Sequence, residues 1–186
     1  MPVTLRAQPK LVVHAHFHPR RTGVTAHVEQ VVRALAQTLE ARAVGQSLAV
    51  DVPLLSWSEV QRRALTEDLV WHAHRNNELL WGLLLRTVGH RVRVVVTRHG
   101  SNVPGWFSQW LYQFADAVVT LNEEVRQMVR VPSTVIHHGV ALTHFRPPES
   151  RAEAWQALQQ SRRYGIGVIG RIRPEKGQGD FIEAVA

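Results

Sequence analysis

The sequence predicts an α/β fold, an open parallel sheet with helices on both faces. Three observations point there. Short apolar strands alternate with longer segments of helical period. Polar clusters follow successive strands, where open α/β sheets bind their ligands. The composition is that of an ordinary globular protein, 45% hydrophobic and 20% charged. The length, 186 residues, suits one domain, or one domain and part of a second.

The elements follow in order. "KLVVHAHF" reads as the first strand. From Val24, apolar residues recur at Val28, Val31, Val32, Leu35 and Leu39, the spacing of a helix with one buried face. "SLAVDVPLL" reads as a strand stopped by Pro53, and residues 58–69 as a short helix. "LVWHAH" is a strand, after which Asn77 is placed to cap the helix "ELLWGLLLRTV". "VRVVVTRHG" is a buried strand running into a loop at Gly100. Residues 106–114 form an aromatic-rich helix and "DAVVTLN" another strand. Asn122 is an N-cap, with two glutamates in the turn where the helix dipole favours them. "STVIHHGV" is a further strand and turn.

This first domain is expected over residues 1–145. Residues 146–163, polar and proline-bearing, read as a linker with a short helix. Residues 164–186, "YGIGVIGRIRPEKGQGDFIEAVA", read as a new buried strand, a basic glycine-rich turn and the start of a helix. Its apolar stripe (Phe181, Ile182, Val185) is expected to belong to a second domain that begins here and is cut short.

The charge balance is +7 with a pI near 11.1, and arginine supplies almost all of it. Guanidinium forks suit phosphates, so nucleic acid, anionic lipid and phosphorylated small molecules are the partner classes to consider. No helix concentrates arginines in a nucleic-acid docking motif, so no nucleic-acid partner is expected. No apolar run approaches the roughly 18 residues a membrane-spanning helix needs. The absence of cysteine excludes disulfides and thiolate metal sites, and the expected address is the cytoplasm.

His14, His16 and His18 sit at alternate positions and share one face of the first strand. The strand rise spreads them over about 13 Å, too far for one ion to collect all three. No carboxylate follows to complete a shell, so no metal site is expected. The turn after them offers different chemistry. Gly23 lets backbone approach a ligand closely, or else makes a tight turn. The helix behind it presents free N–H groups and a positive dipole end to an anion. The dinucleotide-binding G-x-G-x-x-G spacing, the phosphate-binding G-x-x-x-x-G-K-[S/T] loop and the hydrolase G-x-S-x-G elbow are absent.

Five segments together resemble a known family. "GRIRPEKGQGDFIEAVA" resembles the opening of the donor-binding domain of family 4 glycosyltransferases, which have the two-domain GT-B fold. "VIHHGVALTHFRPP" is similar to their interdomain signature, and "VVVTRHG" to the strand that carries their active-site histidine. "RTGVTAHVEQVVRAL" matches their glycine loop and first helix. "VWHAHRNNELLWGLLLR" is closest to lipopolysaccharide-core mannosyltransferases. The resemblance covers nearly the whole chain and implies the N-terminal, Rossmann-like half of that fold.

It also implies an activity: a sugar, such as mannose, passes from a nucleotide-sugar to a glycan or lipid-linked acceptor, with retention of configuration. The nucleotide-sugar is a co-substrate; no cofactor and no metal is implied. Arg171 and Lys176 would hold the donor diphosphate, with Gly23 bringing backbone N–H groups to it. His99 would orient the donor sugar. Arg21, Thr22, His74, Arg75, Asn77 and Glu78 would face the acceptor, although Asn77 and Glu78 also suit a helix start. Ala141 stands where the family has an aspartate, which puts hinge geometry in question more than chemistry. The family's paired-glutamate motif would lie beyond Ala186, so this chain alone is expected to transfer little or no sugar. A non-catalytic module for anionic glycan or lipid is the alternative.

Family members of this kind act at the inner face of the cytoplasmic membrane. Trp106, Phe107, Trp110, Tyr112 and Phe114 lie close in sequence, with Arg86, Arg91 and Arg93 after an apolar helix. Aromatics with cations suit peripheral contact with anionic headgroups. The same aromatics also suit a core between helix and sheet.

Overall fold

The computed structural model describes residues 9–88, 91–142, 145–159, 161–170, 172 and 174–185. The chain divides into two compact units, Met1–Val140 and Ala141–Ala186.

The first unit holds a sheet of six strands: β1 (Leu11–His16), β2 (Ala41–Gly45), β3 (Leu69–Ala73), β4 (Val92–Arg98), β5 (Ala117–Thr120) and β6 (Thr134–Val135). Their order is β2-β1-β3-β4-β5-β6, and every pairing is parallel. The helices between them are α1 (Gly23–Leu35), α2 (Trp57–Thr66), α3 (Asn76–Val88), α4 (Trp106–Tyr112) and α5 (Glu123–Met128). Right-handed crossovers put α1 on one face and α2 to α5 on the other, as expected for helices on both faces. Two apolar clusters agree with that division. Val28 and Val32 of α1 pack with Ala43 and Val52, whereas Val60, Leu79 and Leu111 of α2, α3 and α4 pack with Val13, Trp71 and Val94. Because the strand order reverses between β1 and β3, a crevice opens there at the carboxyl ends of the strands.

Trp71 anchors the larger cluster. It is fully buried, and its indole N–H donates to the Glu78 carbonyl at 2.8 Å. Gly82 of α3 lies against it, where an added Cβ would come within 2.2 Å of Trp71 Cδ1. The helix reaches the sheet this closely because that position has no side chain.

Two expectations need correction here. The second strand is "ARAVG", not "SLAVDVPLL". Parallel pairing with β1, from Val12–Ala41 to His16–Gly45, fixes it with Ala41, Ala43 and Val44 buried, and Gly45 ends it with φ +134, a conformation that favours glycine. The predicted segment only touches the edge, through a bridge between Leu54 and Ala43. Asn77, expected as a helix cap, lies inside α3, one residue past its start. Asn122 does cap α5, its side chain accepting from the Val125 N–H.

The second unit contains α6 (Arg151–Ala157), capped by Ser150, a 3₁₀ turn at Pro174–Lys176 and α7 (Gln178–Val185). The short helix expected at 146–163 is therefore present. The buried strand expected at 164–170 is not: among the described residues this segment pairs with no strand, and Tyr164, Ile166 and Ile169 are exposed. A strand needs a partner for its backbone groups, and this stretch has none. Gly177 closes the turn with φ +68, and its N–H donates to the Pro174 carbonyl at 3.1 Å.

Candidate active site

Two loops meet at the switch point between β1 and β3. After β1, Thr22 caps α1 and forms a reciprocal capping box with Thr25. Thr25 is tied back to the strand. His16 donates its Nδ1–H to the Gln46 carbonyl at 2.9 Å, so its Nε2 accepts from the Thr25 hydroxyl at 2.9 Å. The start of α1 is thus held against the end of β1. The first-turn N–H groups of Gly23 and Val24 have no intrahelical acceptor. A Cβ added at Gly23 would meet nothing within 4 Å, so the space beside this turn is open.

After β3, Glu78 fastens the second loop. It has no exposed surface. Its carboxylate accepts from the Phe17 N–H at 3.1 Å, the His74 N–H at 2.8 Å and Arg75 Nη1 at 2.9 Å. Arg75 reaches on to Thr22 Oγ1 at 3.3 Å. Of the residues expected to face an acceptor, Thr22, His74, Arg75 and Glu78 are therefore brought together, with Glu78 beneath the others. Arg21 is tied elsewhere, gripping Glu29 with two hydrogen bonds of 2.7 and 2.8 Å.

A cleft of about 370 Å³ lies over the ends of β3 and β4, lined by Val24, His74, Arg75, Asn77, His99 and Gly100 among others. Beside it, a hollow of about 560 Å³ is walled by Phe17, Leu55, Trp57 and Trp81, and Asn77 borders both.

His99 follows β4 and closes a row of imidazoles. His14 Nδ1 lies 3.2 Å from His74 Nε2, and His74 Nδ1 lies 3.0 Å from His99 Nε2. Among the described residues, His14 Nε2 is buried without a partner. A buried N–H without an acceptor is rarer and costlier than a bare lone pair. The protons therefore run outward, His14 donating to His74 and His74 to His99. His99 is left with its Nδ1–H for the cleft. Burial pushes His99 down to about 3 and His14 to about 3, so both rings are neutral at pH 7; neighbouring His27 pushes the same way. His72 stacks on His74 with centroids 4.6 Å apart and bonds Thr97 Oγ1 at 2.7 Å.

The parts played by His14, His27, His72 and His138 escaped the sequence reading. A signal was present: the triplet "HAH" ends the first strand and recurs across the end of the third, and His14 pairs with His72 in register. His18, expected on one strand face with His14 and His16, instead lies in the loop past the end of β1 and accepts from the Arg20 N–H at 3.1 Å. In the second unit Lys176 is exposed at the end of its turn. Arg171 lies outside the described residues.

No protein-family model matches the sequence. Two curated relatives do. One is the lipopolysaccharide core biosynthesis mannosyltransferase LpcC of Rhizobium leguminosarum bv. viciae, 30% identical over 180 residues, covering 94% of this chain and 51% of the relative. The other is the lipopolysaccharide core biosynthesis mannosyltransferase LpsB of Rhizobium meliloti, 30% identical over 184 residues, covering 94% and 52%. The chain spans about half the length of the curated relatives it matches. Among solved structures, Anabaena Alr3699/HepE in complex with UDP-glucose superposes with a TM-score of 0.70 at 16% identity, covering 94% of this chain and 57% of that one. The apo lipopolysaccharide outer core galactosyltransferase WaaB does so at 0.54 and 8%, covering 76% and 49%. These likenesses are of fold. In sequence the chain is similar to the lipopolysaccharide-core mannosyltransferases, and its Rossmann-like α/β sheet is similar to those of the solved structures.

Proposed function

We propose that the chain is the acceptor-side portion of a retaining glycosyltransferase of cell-envelope polysaccharide synthesis, moving mannose from a nucleotide-sugar to a glycan or lipid-linked acceptor. The observation that carries this is the open N-terminus of α1 at the switch point, with His99 and Arg75 lining the cleft beside it.

The departing nucleoside diphosphate gathers negative charge. In this proposal the Gly23 and Val24 N–H groups, at the positive end of a 13-residue helix, receive that charge. Donors fixed in the protein, rather than a resident metal ion, stabilise the leaving group. His99 gives its Nδ1–H to a hydroxyl of the donor sugar and orients it. Arg75, held by Glu78 and Thr22, meets the acceptor together with Asn77. The aromatic hollow suits an acceptor glycan, because Trp57 and Trp81 offer flat apolar faces to sugar rings.

A membrane contact belongs to the same proposal. Trp106, Trp110 and Phe114 are exposed, as are Leu80 and Leu84 of α3, whereas Tyr112 is buried. No helix among the described residues is long and apolar enough to cross a membrane. An exposed apolar face with basic neighbours supports attachment from one side.

Calorimetry on the full-length protein with GDP-mannose and UDP-glucose tests the donor assignment. One of the two binds the protein, and Gly23→Val weakens that binding at least tenfold without loss of fold. If neither nucleotide-sugar binds, or if the variant binds as tightly, the assignment is wrong.

A further inference from the structure

We infer that His27, His74 and His99, with His138 as the fourth ligand, form a binding site for a divalent transition-metal ion such as Zn²⁺, Ni²⁺ or Cu²⁺. The four side chains come from separate parts of the first unit. His27 lies on α1, His74 and His99 follow β3 and β4, and His138 lies in the segment after β6. Each of the first three offers one ring nitrogen, and these atoms lie within 4.8 Å of one another. His74 Nδ1 and His99 Nε2 are 3.0 Å apart, and His27 Nδ1 and His138 Nδ1 are 3.2 Å apart. A tetrahedral zinc with bonds of about 2.0–2.1 Å needs nitrogens about 3.3 Å apart along each edge. Two opposite edges are thus near that length, and the nitrogens of His27, His74 and His99, within 4.8 Å of one another, close on the ion as their rings turn inward, with His138 brought in beside His27.

The chemistry of the donor set selects the ion. No carboxylate belongs to the group, which disfavours magnesium and calcium, and imidazole nitrogens suit zinc, nickel and copper. A metal-bound histidine needs an acceptor for its other ring N–H. His14 Nδ1, 3.2 Å from His74 Nε2, is that acceptor.

Binding has a signature of its own. To ligate through Nδ1, His74 must carry its proton on Nε2 and donate it to His14. His14 then moves its own proton from Nδ1 to Nε2. Each ring keeps one proton, so none is released. Ligation must outweigh the buried N–H this leaves on His14, which further favours ions with high affinity for imidazole. The site does not depend on the proposed transferase activity: the ion takes His99 Nε2, and the Nδ1–H assigned to the donor sugar remains.

The test uses the 186-residue chain and Co²⁺, Zn²⁺ and Mg²⁺. Cobalt gives the intense visible bands of four-coordinate Co²⁺, zinc displaces it at one ion per chain, and magnesium does not. His27→Gln and His138→Gln each weaken zinc binding at least tenfold, while His18→Gln leaves it unchanged. His138 is exposed, so its variant remains informative if His27→Gln fails to fold. Imidazole ¹⁵N spectra show the His14 proton moving to Nε2 as zinc is added. Octahedral cobalt bands, equal zinc affinity in wild type and the His138→Gln variant, or an unmoved His14 proton would each overturn the site. Loss of the metal site leaves donor binding untouched, and loss of donor binding leaves the metal bands, so the two failures are distinguishable.

Discussion

Glu78 is a carboxylate without exposed surface that receives the Phe17 N–H, the His74 N–H and the Arg75 guanidinium. Removing it strands all three donors at the junction of two loops. Glu78→Ala is expected to cost about 3–5 kcal/mol, the range for breaking a buried charged pair by deleting one partner. Glu78→Gln, which keeps the shape and some acceptor capacity, should cost less. Urea denaturation measures both; a loss in Glu78→Ala no larger than that of an exposed hydroxyl would show that the carboxylate organises nothing. Sequence reading found Glu78 but not its burial, because "NNELL" reads equally as a helix start and as an acceptor surface. Gly23 was legible for a firmer reason. A glycine between a strand and a helix of clear period marks the ligand edge of a parallel sheet, and the open space beside it agrees.

Among elements, α3 carries two faces with different tasks. Its inner face meets Trp71 across Gly82, and its outer face exposes Leu80, Trp81 and Leu84. Gly82→Ala would place a methyl 2.2 Å from Trp71 Cδ1, so the helix must move off the sheet. Overpacking of this kind costs about 1–3 kcal/mol, which thermal unfolding would register as a lowered Tm. An unchanged Tm would mean that α3 is not seated on Trp71 as described. The outer face joins Trp110 of α4 and Phe114 just past its end around a hollow. Trp110→Ser with Phe114→Ser should reduce co-sedimentation with anionic vesicles several-fold. Equal binding of wild type to neutral and anionic vesicles would end the electrostatic part of that proposal. Period and composition located α3 and α4 within a residue or two, yet β2 was misplaced by several residues. "ARAVG" is short and small, and only its neighbour β1 makes it a strand. Pairing of this kind is decided by the sheet and not by the segment.

For the molecule as a whole, the distinctive property is neutral histidine inside a basic protein. Burial lowers the pKa of His14, His16, His27, His72, His74 and His99 from the ordinary value of 6.5, to about 3 for His14 and about 4 for His27. The unfolded chain therefore binds more protons than the folded one as pH falls below 6.5. Stability is full above that value and is lost progressively toward pH 4. Each ring that stays neutral contributes a slope of up to about 1.4 kcal/mol per pH unit. Chemical denaturation at pH 7.5, 6 and 5 should show a steep decline, and a flat profile would contradict the burial of these rings. The sequence displayed all eleven histidines, and their alternate spacing placed some on one strand face. It did not show that β1 and β3 are neighbours, and only that adjacency sets His14 against His72 and His74.

The proposed chemistry converges on His99, at the cleft end of the imidazole row. A transfer assay on the full-length enzyme of which this chain is proposed to be a portion, with radiolabelled GDP-mannose and UDP-glucose and a lipopolysaccharide-core acceptor, comparing wild type with His99→Ala and His18→Ala, tests it most directly. The expected result is transfer from one donor, a fall of about 100-fold or more in turnover for His99→Ala, in line with the loss of a positioned hydrogen-bond donor, and none for His18→Ala. Full turnover in His99→Ala, with the wild type active, would contradict the assignment of this site.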